Sequence, residues 1–446
     1  MRKPATFGFT FFICTNRDFC YNFSVSKKGF YMVRKIARDI IVRYLQENCY
    51  VSVVLHEQLK NSPLSRKDKD LLTQIVYGTV QNKIYIAYQL EKYIVNKKVN
   101  IEMQAILYTA VYQICFLDAI PSYAIVHEAV SLCPNSYAGK FVNAILRRFL
   151  QDGKRPIKED NWMQQVSITT SHPLWMVQML HKQYGKEVTE KICVSNNQPP
   201  LRSARVNTLK TTKDRLIETG DFTVGQVSLD ALLYRAGNIA STDYFKQGLV
   251  TVQDESSQLV APFLAPKKGQ RILDMCCAPG GKTTHLSALM ENTGEIIACD
   301  VSDRKLEKVA ENASRLGITN ITLQVCDATQ ASSIFDMQSF DAILLDAPCS
   351  GLGVLKRKPE IKYHDSDVMN ALIPLQSKLL ENAYYLLKNN GKLVYSTCTL
   401  NKKENSMQIH KFIERHPDMR VIEERTILPY IYHSDGFYMC KLQRIG

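Results

Sequence analysis

The stretch ILDMCCAPGGKTTHL, residues 272–286, runs from an apolar strand-like segment through a Gly-rich turn into the start of a helix. A phosphate-binding P-loop would need a glycine five residues before Gly281, where Cys276 stands, and the spacing G-x-G-x-x-G of a dinucleotide-binding turn is also missing. Gly280 and Gly281 still allow a ligand to approach the backbone, because they have no side chain. The stretch therefore predicts a ligand-binding turn that does not depend on phosphate recognition.

After residue 250 the sequence alternates between strand-like and helical segments. The apolar runs RILDMC, EIIACD, ITLQVCD, AILLDAP and KLVYSTC are separated by helical stretches such as RKLEKVAENASRL. This alternation is typical of a doubly wound parallel sheet, an α/β Rossmann-like fold, and in such folds ligands bind at the carboxyl ends of the strands. We therefore expect the functional site at that edge of the sheet.

Three carboxylates end successive predicted strands at this edge: Asp300, Asp327 and Asp346. A single aspartate at the end of a strand is commonly a helix cap or a turn residue. Three of them beside a Gly-rich turn favour a nucleoside ligand, with Asp300 binding the ribose hydroxyls and Asp327 the adenine amino group. A nucleoside without a phosphate-binding loop indicates S-adenosylmethionine (SAM) as the cofactor.

Two cysteines lie at the ends of the last two runs, Cys349 in DAPCSG and Cys398 in YSTCTL. A free cysteine is often only a small buried apolar residue, but the crevice position favours chemistry. A thiolate that adds to carbon-6 of cytosine makes carbon-5 nucleophilic toward a sulfonium methyl group. This reaction needs a covalent nucleophile beside SAM and an acid or base at the pyrimidine edge. Cys398, with Asp346 and Cys349, would provide these groups.

The first third of the chain has a different pattern. From residue 33 to about 150, apolar residues recur at spacings of three and four, which predicts an all-α domain. Residues 160–250 mix helical and extended patterns, which predicts a small α+β linking module. The 56 Lys and Arg residues exceed the 43 Asp and Glu residues, and the net charge of +13 favours a polyanionic partner.

Other features of the sequence argue against a metal or a membrane. The 13 cysteines are irregularly spaced and form no C-x-x-C motif, which fits reduced thiols rather than a zinc site. The apolar run FGFTFFIC, residues 7–14, is too short to span a bilayer. We therefore expect a cytoplasmic protein that binds no metal and no membrane.

The motifs resemble those of a known family. DAPCSGLGVLKRKPEIKY and YSTCTL resemble motifs IV and VI of RNA cytosine-C5 methyltransferases, and LDMCCAPGGKTTH looks like motif I of the same enzymes. The segment IPSYAIVHEAVSLCPNSYAGKFVNAILRRF is similar to NusB-like RNA-binding domains. A NusB-like domain joined to this core is the arrangement of the RsmB (Sun/Fmu) type, whose members methylate small-subunit ribosomal RNA.

The resemblance implies roles for individual residues. In such enzymes the cysteine of the Thr-Cys motif is the nucleophile, here Cys398, and that of the Pro-Cys motif, here Cys349, helps to release the product. DNA cytosine methyltransferases use only the Pro-Cys position, so the presence of both favours RNA. Cys277 stands where the family usually has alanine. The expected cofactor-binding residues are Cys276, Cys277, Ala278, Pro279, Gly280, Gly281, Lys282, Asp300, Asp327 and Asp346.

The resemblance also implies a domain organisation. We expect a poorly ordered extension over 1–31, a NusB-like helical RNA-binding domain over 32–155, the α+β linking module over 156–247 and the SAM-dependent methyltransferase domain over 248–446. The expected reaction transfers a methyl group from SAM to carbon-5 of a specific cytosine in 16S ribosomal RNA, through a covalent Cys–cytosine intermediate, in a monomeric enzyme. Two alternatives stay open: the same chemistry on transfer RNA, and a catalytically silent RNA-binding factor of the antitermination type.

Overall fold

A computed structural model describes residues 27–47, 49–60, 62–95 and 97–445 of the chain. The chain divides into two compact units, residues 1–156 and 157–446. Most of the predicted extension over 1–31 lies outside the described residues, and the first helix begins at Lys27. In the described part of the chain, no helix combines the length and the apolar character needed to cross a membrane.

The described residues of the first unit are helical, as predicted. Helix α5 is buried on almost every side and contacts α1, α3, α4, α6 and α7, so it forms the centre of the unit. Ser65, Asn100 and Asn135 each accept a hydrogen bond from a backbone N–H three residues later, which satisfies a free donor at the start of a helix. The helices are α1 (Lys27–Glu47), α2 (Val51–Lys60), α3 (Arg66–Gln81), α4 (Lys83–Ile94), α5 (Ile101–Phe116), α6 (Ser122–Ser131) and α7 (Ser136–Asp152).

The second unit begins with three helices and a small antiparallel sheet. The sheet has the strand order β2-β3-β1-β4, and β1 pairs antiparallel with both β3 and β4. The elements are α8 (Trp162–Thr170), α9 (Leu174–Tyr184), α10 (Lys186–Asn196), β1 (Ser203–Val206), α11 (Lys213–Glu218), β2 (Phe222–Val224), β3 (Ala231–Tyr234), α12 (Asp243–Lys246) and β4 (Val250–Val252). This mixture of helices and strands is the α+β character that the sequence predicts for the region.

A seven-stranded sheet follows, with the order β10-β11-β9-β8-β5-β6-β7. Strands β5 to β9 are parallel, as predicted, whereas β10 and β11 run antiparallel and extend one edge. The strands are β5 (Arg271–Asp274), β6 (Glu295–Asp300), β7 (Ile321–Val325), β8 (Phe340–Asp346), β9 (Leu387–Thr397), β10 (Met419–Ile427) and β11 (Phe437–Arg444). The helices are α13 (Glu255–Gln258), α14 (Val260–Leu264), α15 (Gly281–Leu289), α16 (Asp303–Leu316), α17 (Ser366–Leu386) and α18 (Ser406–Arg415). The Rossmann-like fold expected from the sequence is confirmed.

Arg205 of β1 connects the small sheet to the Gly-rich turn. Its buried guanidinium donates hydrogen bonds to the carbonyl oxygen of Gly281 and, at 3.1 Å, to the hydroxyl of Thr284. Glu255, at the start of α13, accepts hydrogen bonds from the backbone N–H groups of Gln226 and Val227 at 2.8 and 2.7 Å. Because buried charges are costly unless they are hydrogen-bonded, these contacts fix the small sheet against the large one.

Two helical glycines of the first unit provide a matched test of packing. A Cβ atom added at Gly78 would lie 2.0 Å from the ring of Tyr112, which is buried and stacked on Phe116. At Gly139 the nearest atom would be Cγ1 of Val130, at an ordinary 3.5 Å. Gly78→Ala should therefore destabilise the helical unit by about 1–3 kcal/mol through overpacking. Gly139→Ala should be neutral, or stabilising by up to about 1 kcal/mol through helix propensity.

Hydrogen exchange of peptides from α5, measured at increasing urea concentration, would give the stability of the helical unit in both variants. Equal protection in the two variants would contradict the packing of α3 against α5 described here.

Candidate active site

The two crevice cysteines lie on loops that follow neighbouring parallel strands. Asp346, the last residue of β8, is paired with Ser396 of β9, and the Ala347 N–H donates to the carbonyl oxygen of Ser396. Cys349 comes three residues after the end of β8, and Cys398 directly follows β9. The two Sγ atoms are 3.4 Å apart, within hydrogen-bonding distance for sulfur. The structure thus brings together two thiols that are 49 residues apart in the sequence.

The two thiols have opposite acid–base properties. The hydrogen bond from Cys349 lowers the pKa of Cys398, and the positive charge of Lys282 acts in the same direction. The same hydrogen bond to Cys398, together with burial, raises the pKa of Cys349 well above its usual value. Cys398 is therefore the more acidic thiol of the pair, and Cys349 is the one that more readily keeps its proton. Since a thiolate is the nucleophilic form of cysteine, Cys398 is the better nucleophile.

Lys282 and Asp346 form an ion pair beside the thiols. The Lys282 Nζ atom is 2.7 Å from Oδ2 of Asp346, and the hydroxyl of Ser396 donates to Oδ1 at 2.7 Å. Burial alone would lower the pKa of Lys282, but the charge of Asp346 and the hydrogen bond to it raise that pKa. The lysine therefore stays charged and keeps a positive potential close to Cys398.

The Gly-rich turn joins β5 to α15. Gly280 has a φ of 96°, a left-handed conformation that favours glycine, and an added Cβ atom there would lie 3.0 Å from Cγ1 of Val309. The side chain of Cys277 is buried in a cluster with Ala298, Leu306 and Val309. Cys277 would therefore meet a ligand through its backbone rather than its thiol. Cys276 is half-buried and packs against the main core of the sheet.

The carboxylates predicted to hold the cofactor have different surroundings. Asp300 ends β6 and is nearly buried, and its Oδ1 atom accepts a hydrogen bond from the Ser302 N–H and lies 3.5 Å from Nζ of Lys305. Asp327 follows β7 and is exposed, and its Oδ1 atom accepts from both the N–H and the hydroxyl of Thr329. Asp327 is thus a cap for the helical turn that follows it, and only its other oxygen remains for a ligand.

Asp274 is a further carboxylate of the crevice, which the sequence analysis did not single out. It is the last residue of β5, and its Oδ2 atom accepts a hydrogen bond of 2.7 Å from the Thr283 hydroxyl. Its Oδ1 atom is buried and has no hydrogen-bond partner in the described part of the chain. Burial raises the pKa of Asp274 to about 7. The sequence rule misses Asp274 because the apolar run RILDMC continues through Met275 and Cys276, whereas β5 ends at Asp274 in the structure.

Two buried carboxylate networks hold the cysteine loops, and the sequence analysis identified neither. The Arg357 guanidinium is paired with Asp254 at 2.6 Å and with Asp435 at 3.0 Å. Glu404 is fully buried and accepts hydrogen bonds from Ser350, the residue next to Cys349. No sequence signal separates Glu404 from the lysines and asparagines around it, because its partners come from distant segments.

The site contains the chemical groups that a nucleoside cofactor requires. Carboxylates end β5, β6 and β8, and hydroxyl and amino groups of a nucleoside are suitable donors to them. The open glycine turn leaves room at the backbone, since nothing but Gln253 would lie within 4 Å of a Cβ atom at Gly281. Among the described residues, no group of three or more His, Cys, Asp or Glu side chains could hold a metal ion.

Three family models match successive parts of the chain. Residues 261–443 match the model described as 16S rRNA methyltransferase RsmB/F. Residues 32–151 match the NusB family, and residues 172–219 match the RsmF/B-like ferredoxin-like domain. The three matches are in the order that the sequence analysis expected.

Curated relatives match over nearly the whole chain. The probable ribosomal RNA small subunit methyltransferase B of Bacillus subtilis is 37% identical, over 93% of this chain and 99% of the relative. The protein of the same name from Synechocystis is 34% identical, over 92% and 99%. Among solved structures, that of the protein designated PH0851 is 26% identical with a TM-score of 0.79, and covers 92% of this chain and 99% of its own.

The thiol pair makes a direct prediction about reactivity. Alkylation requires the thiolate, and the hydrogen bond from Cys349 lowers the pKa of Cys398. Cys349→Ala removes this donor, so the pKa of Cys398 should rise and its alkylation by iodoacetamide should move to higher pH. Rates measured at several pH values, with the Cys398 peptide quantified by mass spectrometry, would detect the change.

Cys115→Ala is the matched control, since it removes a buried thiol from α5, in the helical unit. A profile that stays unchanged or moves to lower pH in Cys349→Ala would show that Cys349 does not donate to Cys398.

Proposed function

The chain belongs to the family of ribosomal RNA small subunit methyltransferase B, and from this we propose that it methylates carbon-5 of a cytosine in 16S ribosomal RNA through a covalent bond to Cys398. The observation that carries the proposal is the pair of thiols 3.4 Å apart at the carboxyl ends of β8 and β9, with only Cys398 favoured as a thiolate. The names of the relatives support methylation of small-subunit ribosomal RNA. The proposal that the methylated base is cytosine depends on this pair of thiols.

The methyl donor of this family is SAM, which supplies an electrophilic methyl group on a sulfonium when bound. We assign its ribose to Asp300, whose nearly buried carboxylate has one oxygen that accepts from neither Ser302 nor Lys305. Asp327 is assigned to the adenine amino group and the backbone of residues 276–282 to the remaining contacts. These assignments follow from position at the strand ends and from the absence of side chains at Gly280 and Gly281.

Cys398 begins the reaction. Its thiolate adds to carbon-6 of the cytosine, and the electron pair of the double bond moves to carbon-5, which becomes nucleophilic. The ion pair of Lys282 and Asp346 lies beside the thiols, so that Asp346 is within reach of the pyrimidine edge and Lys282 stabilises negative charge. Carbon-5 would then take the methyl group, while the bond between that group and the sulfonium sulfur breaks and S-adenosylhomocysteine leaves.

Cys349 is assigned to the end of the reaction. The carbon-5 proton passes to a base of the crevice, the electron pair re-forms the double bond, and the carbon–sulfur bond breaks to return the Cys398 thiolate. The Cys349 S–H then donates to this thiolate across the 3.4 Å that separates the two Sγ atoms, and so stabilises the leaving group. Cys349 therefore acts chiefly after methyl transfer, although its contact with Cys398 also favours the thiolate before the attack.

We assign RNA binding in part to the helical unit. Tyr123 and Tyr137, at the starts of α6 and α7, are 77% and 80% exposed. Lys140 and Arg147 are also exposed on α7, and no other described residue forms a hydrogen bond or an ion pair with either. Exposed aromatic rings beside unpaired cations suit unpaired bases and phosphates of RNA. The enzyme would act in the cytoplasm, where ribosomal RNA is available.

Two other functions compete with this proposal. Transfer RNA could be the substrate of the same chemistry, and an RNA-binding factor of the antitermination type would need only the helical unit. The silent factor is disfavoured by the complete set of Asp300, Asp327, Asp346, Cys349 and Cys398, because a chain without catalysis has no need for two thiols in contact beside three carboxylates. Parallel assays with 16S ribosomal RNA and transfer RNA separate the three.

Variants of the two cysteines test the proposal. Cys398→Ala should lower methyl transfer from SAM to unmethylated 16S ribosomal RNA by at least about 1,000-fold and leave no covalent adduct. Cys349→Ala should still attack and methylate, but should remain attached to the RNA. The adduct would appear as a band that survives denaturing electrophoresis and disappears with ribonuclease.

The double variant should form no adduct, and Cys115→Ala should behave as the unchanged protein. Adducts formed by Cys398→Ala and not by Cys349→Ala would exchange the two roles. Failure of the unchanged protein to methylate any RNA would overturn the function itself.

A further inference from the structure

Glu404 lies where the two cysteine loops meet. It is fully buried, and no Lys, Arg or His of the described residues forms an ion pair with it. Its Oε2 atom accepts from the Ser350 N–H at 2.9 Å and from the Gln376 amide at 3.1 Å. Its Oε1 atom accepts from the Ser350 hydroxyl at 2.6 Å, from the Asn401 amide at 3.2 Å and from the Thr399 hydroxyl at a longer 3.5 Å. Both oxygens are thus used by donors from three separate segments.

These donors belong to the loops that carry the thiols. Ser350 follows Cys349 directly, and its hydroxyl is also 2.8 Å from that of Thr399, the residue after Cys398. Gln376 of α17 donates in addition to the carbonyl oxygen of Pro348, the residue before Cys349. The Cys349 loop is therefore held from both sides. Cys398 directly follows β9, and Glu404 contacts its loop only beyond the cysteine, at Thr399 and Asn401.

We propose that Glu404 is a positioning residue that holds the Cys349 loop against Cys398, so that its loss impairs product release more than nucleophilic attack. The inference rests on the proposed function. Cys398 continues a buried strand whose ladder does not involve Glu404, so addition to carbon-6 survives a change at Glu404. The position of Cys349 depends on the hydrogen bonds of Ser350 and Pro348, so a change at Glu404 alters its distance to Cys398.

Glu404→Gln is a substitution of equal size that breaks the network. An amide has one accepting oxygen, and its nitrogen must face either the Ser350 N–H and the Gln376 amide or the Asn401 amide. In either orientation the new amide N–H group faces another N–H group. A buried donor without an acceptor destabilises the fold. Displacement of reacting groups by about 1 Å can cost roughly 100-fold in rate, so we expect kcat to fall by about 10- to 100-fold.

The experiment follows product formation and trapped adduct in the same reaction with SAM and 16S ribosomal RNA. Glu404→Gln should accumulate about tenfold more covalent adduct than the unchanged protein, with the KM for RNA and the affinity for SAM within about twofold. Glu381→Gln is the matched control, because Glu381 is a carboxylate of α17 that pairs with Arg415 and His416, neither of which belongs to the cysteine loops. It should leave kcat and adduct unchanged.

Ser350→Ala is the second variant, since it removes only the hydroxyl contacts to Glu404 and Thr399 and keeps the backbone N–H contact. It should show the same adduct accumulation to a smaller degree. Turnover that falls without adduct, together with weaker SAM binding, would mean a merely structural role and would overturn the inference, as would a kcat within twofold of the unchanged protein. Methylation that persists in Cys398→Ala would instead reject the proposed function.

Discussion

The register of β8 and β9 determines which groups meet in the crevice. These strands are parallel neighbours, and the pairing of Asp346 with Ser396 places the loops that follow them at the same edge of the sheet. Side chains alternate between the two faces of a strand, so a slip of one residue would turn Ser396 away from Asp346 and move Cys398 relative to Cys349. The 3.4 Å contact between the thiols, the hydrogen bond of Ser396 to Asp346 and the ion pair with Lys282 all depend on this single register.

Buried charges then hold the loops that the strands cannot fix. Glu404 binds the Cys349 loop. Arg357 forms ion pairs with Asp254, which precedes the large sheet in the sequence, and with Asp435, which precedes β11. Breaking a buried network of this kind costs several kcal/mol, since the remaining charge loses its partners. Such networks add rigidity at the point where two reactive groups must stay at a fixed distance. They also explain why a reactive pair can lie on loops rather than within strands.

The sequence predicted the elements that depend on local patterns. Helical spacing of apolar residues anticipated the helical unit, and alternating runs anticipated five parallel strands with their carboxyl ends at the site; both are borne out by the structure and the family matches. The assignments of Cys398, Cys349 and the cofactor residues stay predictions. What sequence alone did not reveal depends on contacts between distant segments: Glu404 meets Ser350 across 54 residues. Asp327, in contrast, caps Thr329 through a local contact, which is the ordinary role that the sequence analysis weighed for a strand-end aspartate. Strand β10 lacks the alternation with helices that marks a parallel strand.

The central claim is that carbon-5 of cytosine is the atom methylated, and the fate of its hydrogen tests this most directly. Small-subunit ribosomal RNA made with tritium at carbon-5 of its cytosines would be incubated with SAM and the unchanged protein. Each methyl group transferred should release one tritium into water, because carbon-5 must lose its hydrogen before the Cys398 bond can break. Methylated RNA that retains all its tritium would place the methyl group on another atom and contradict the account.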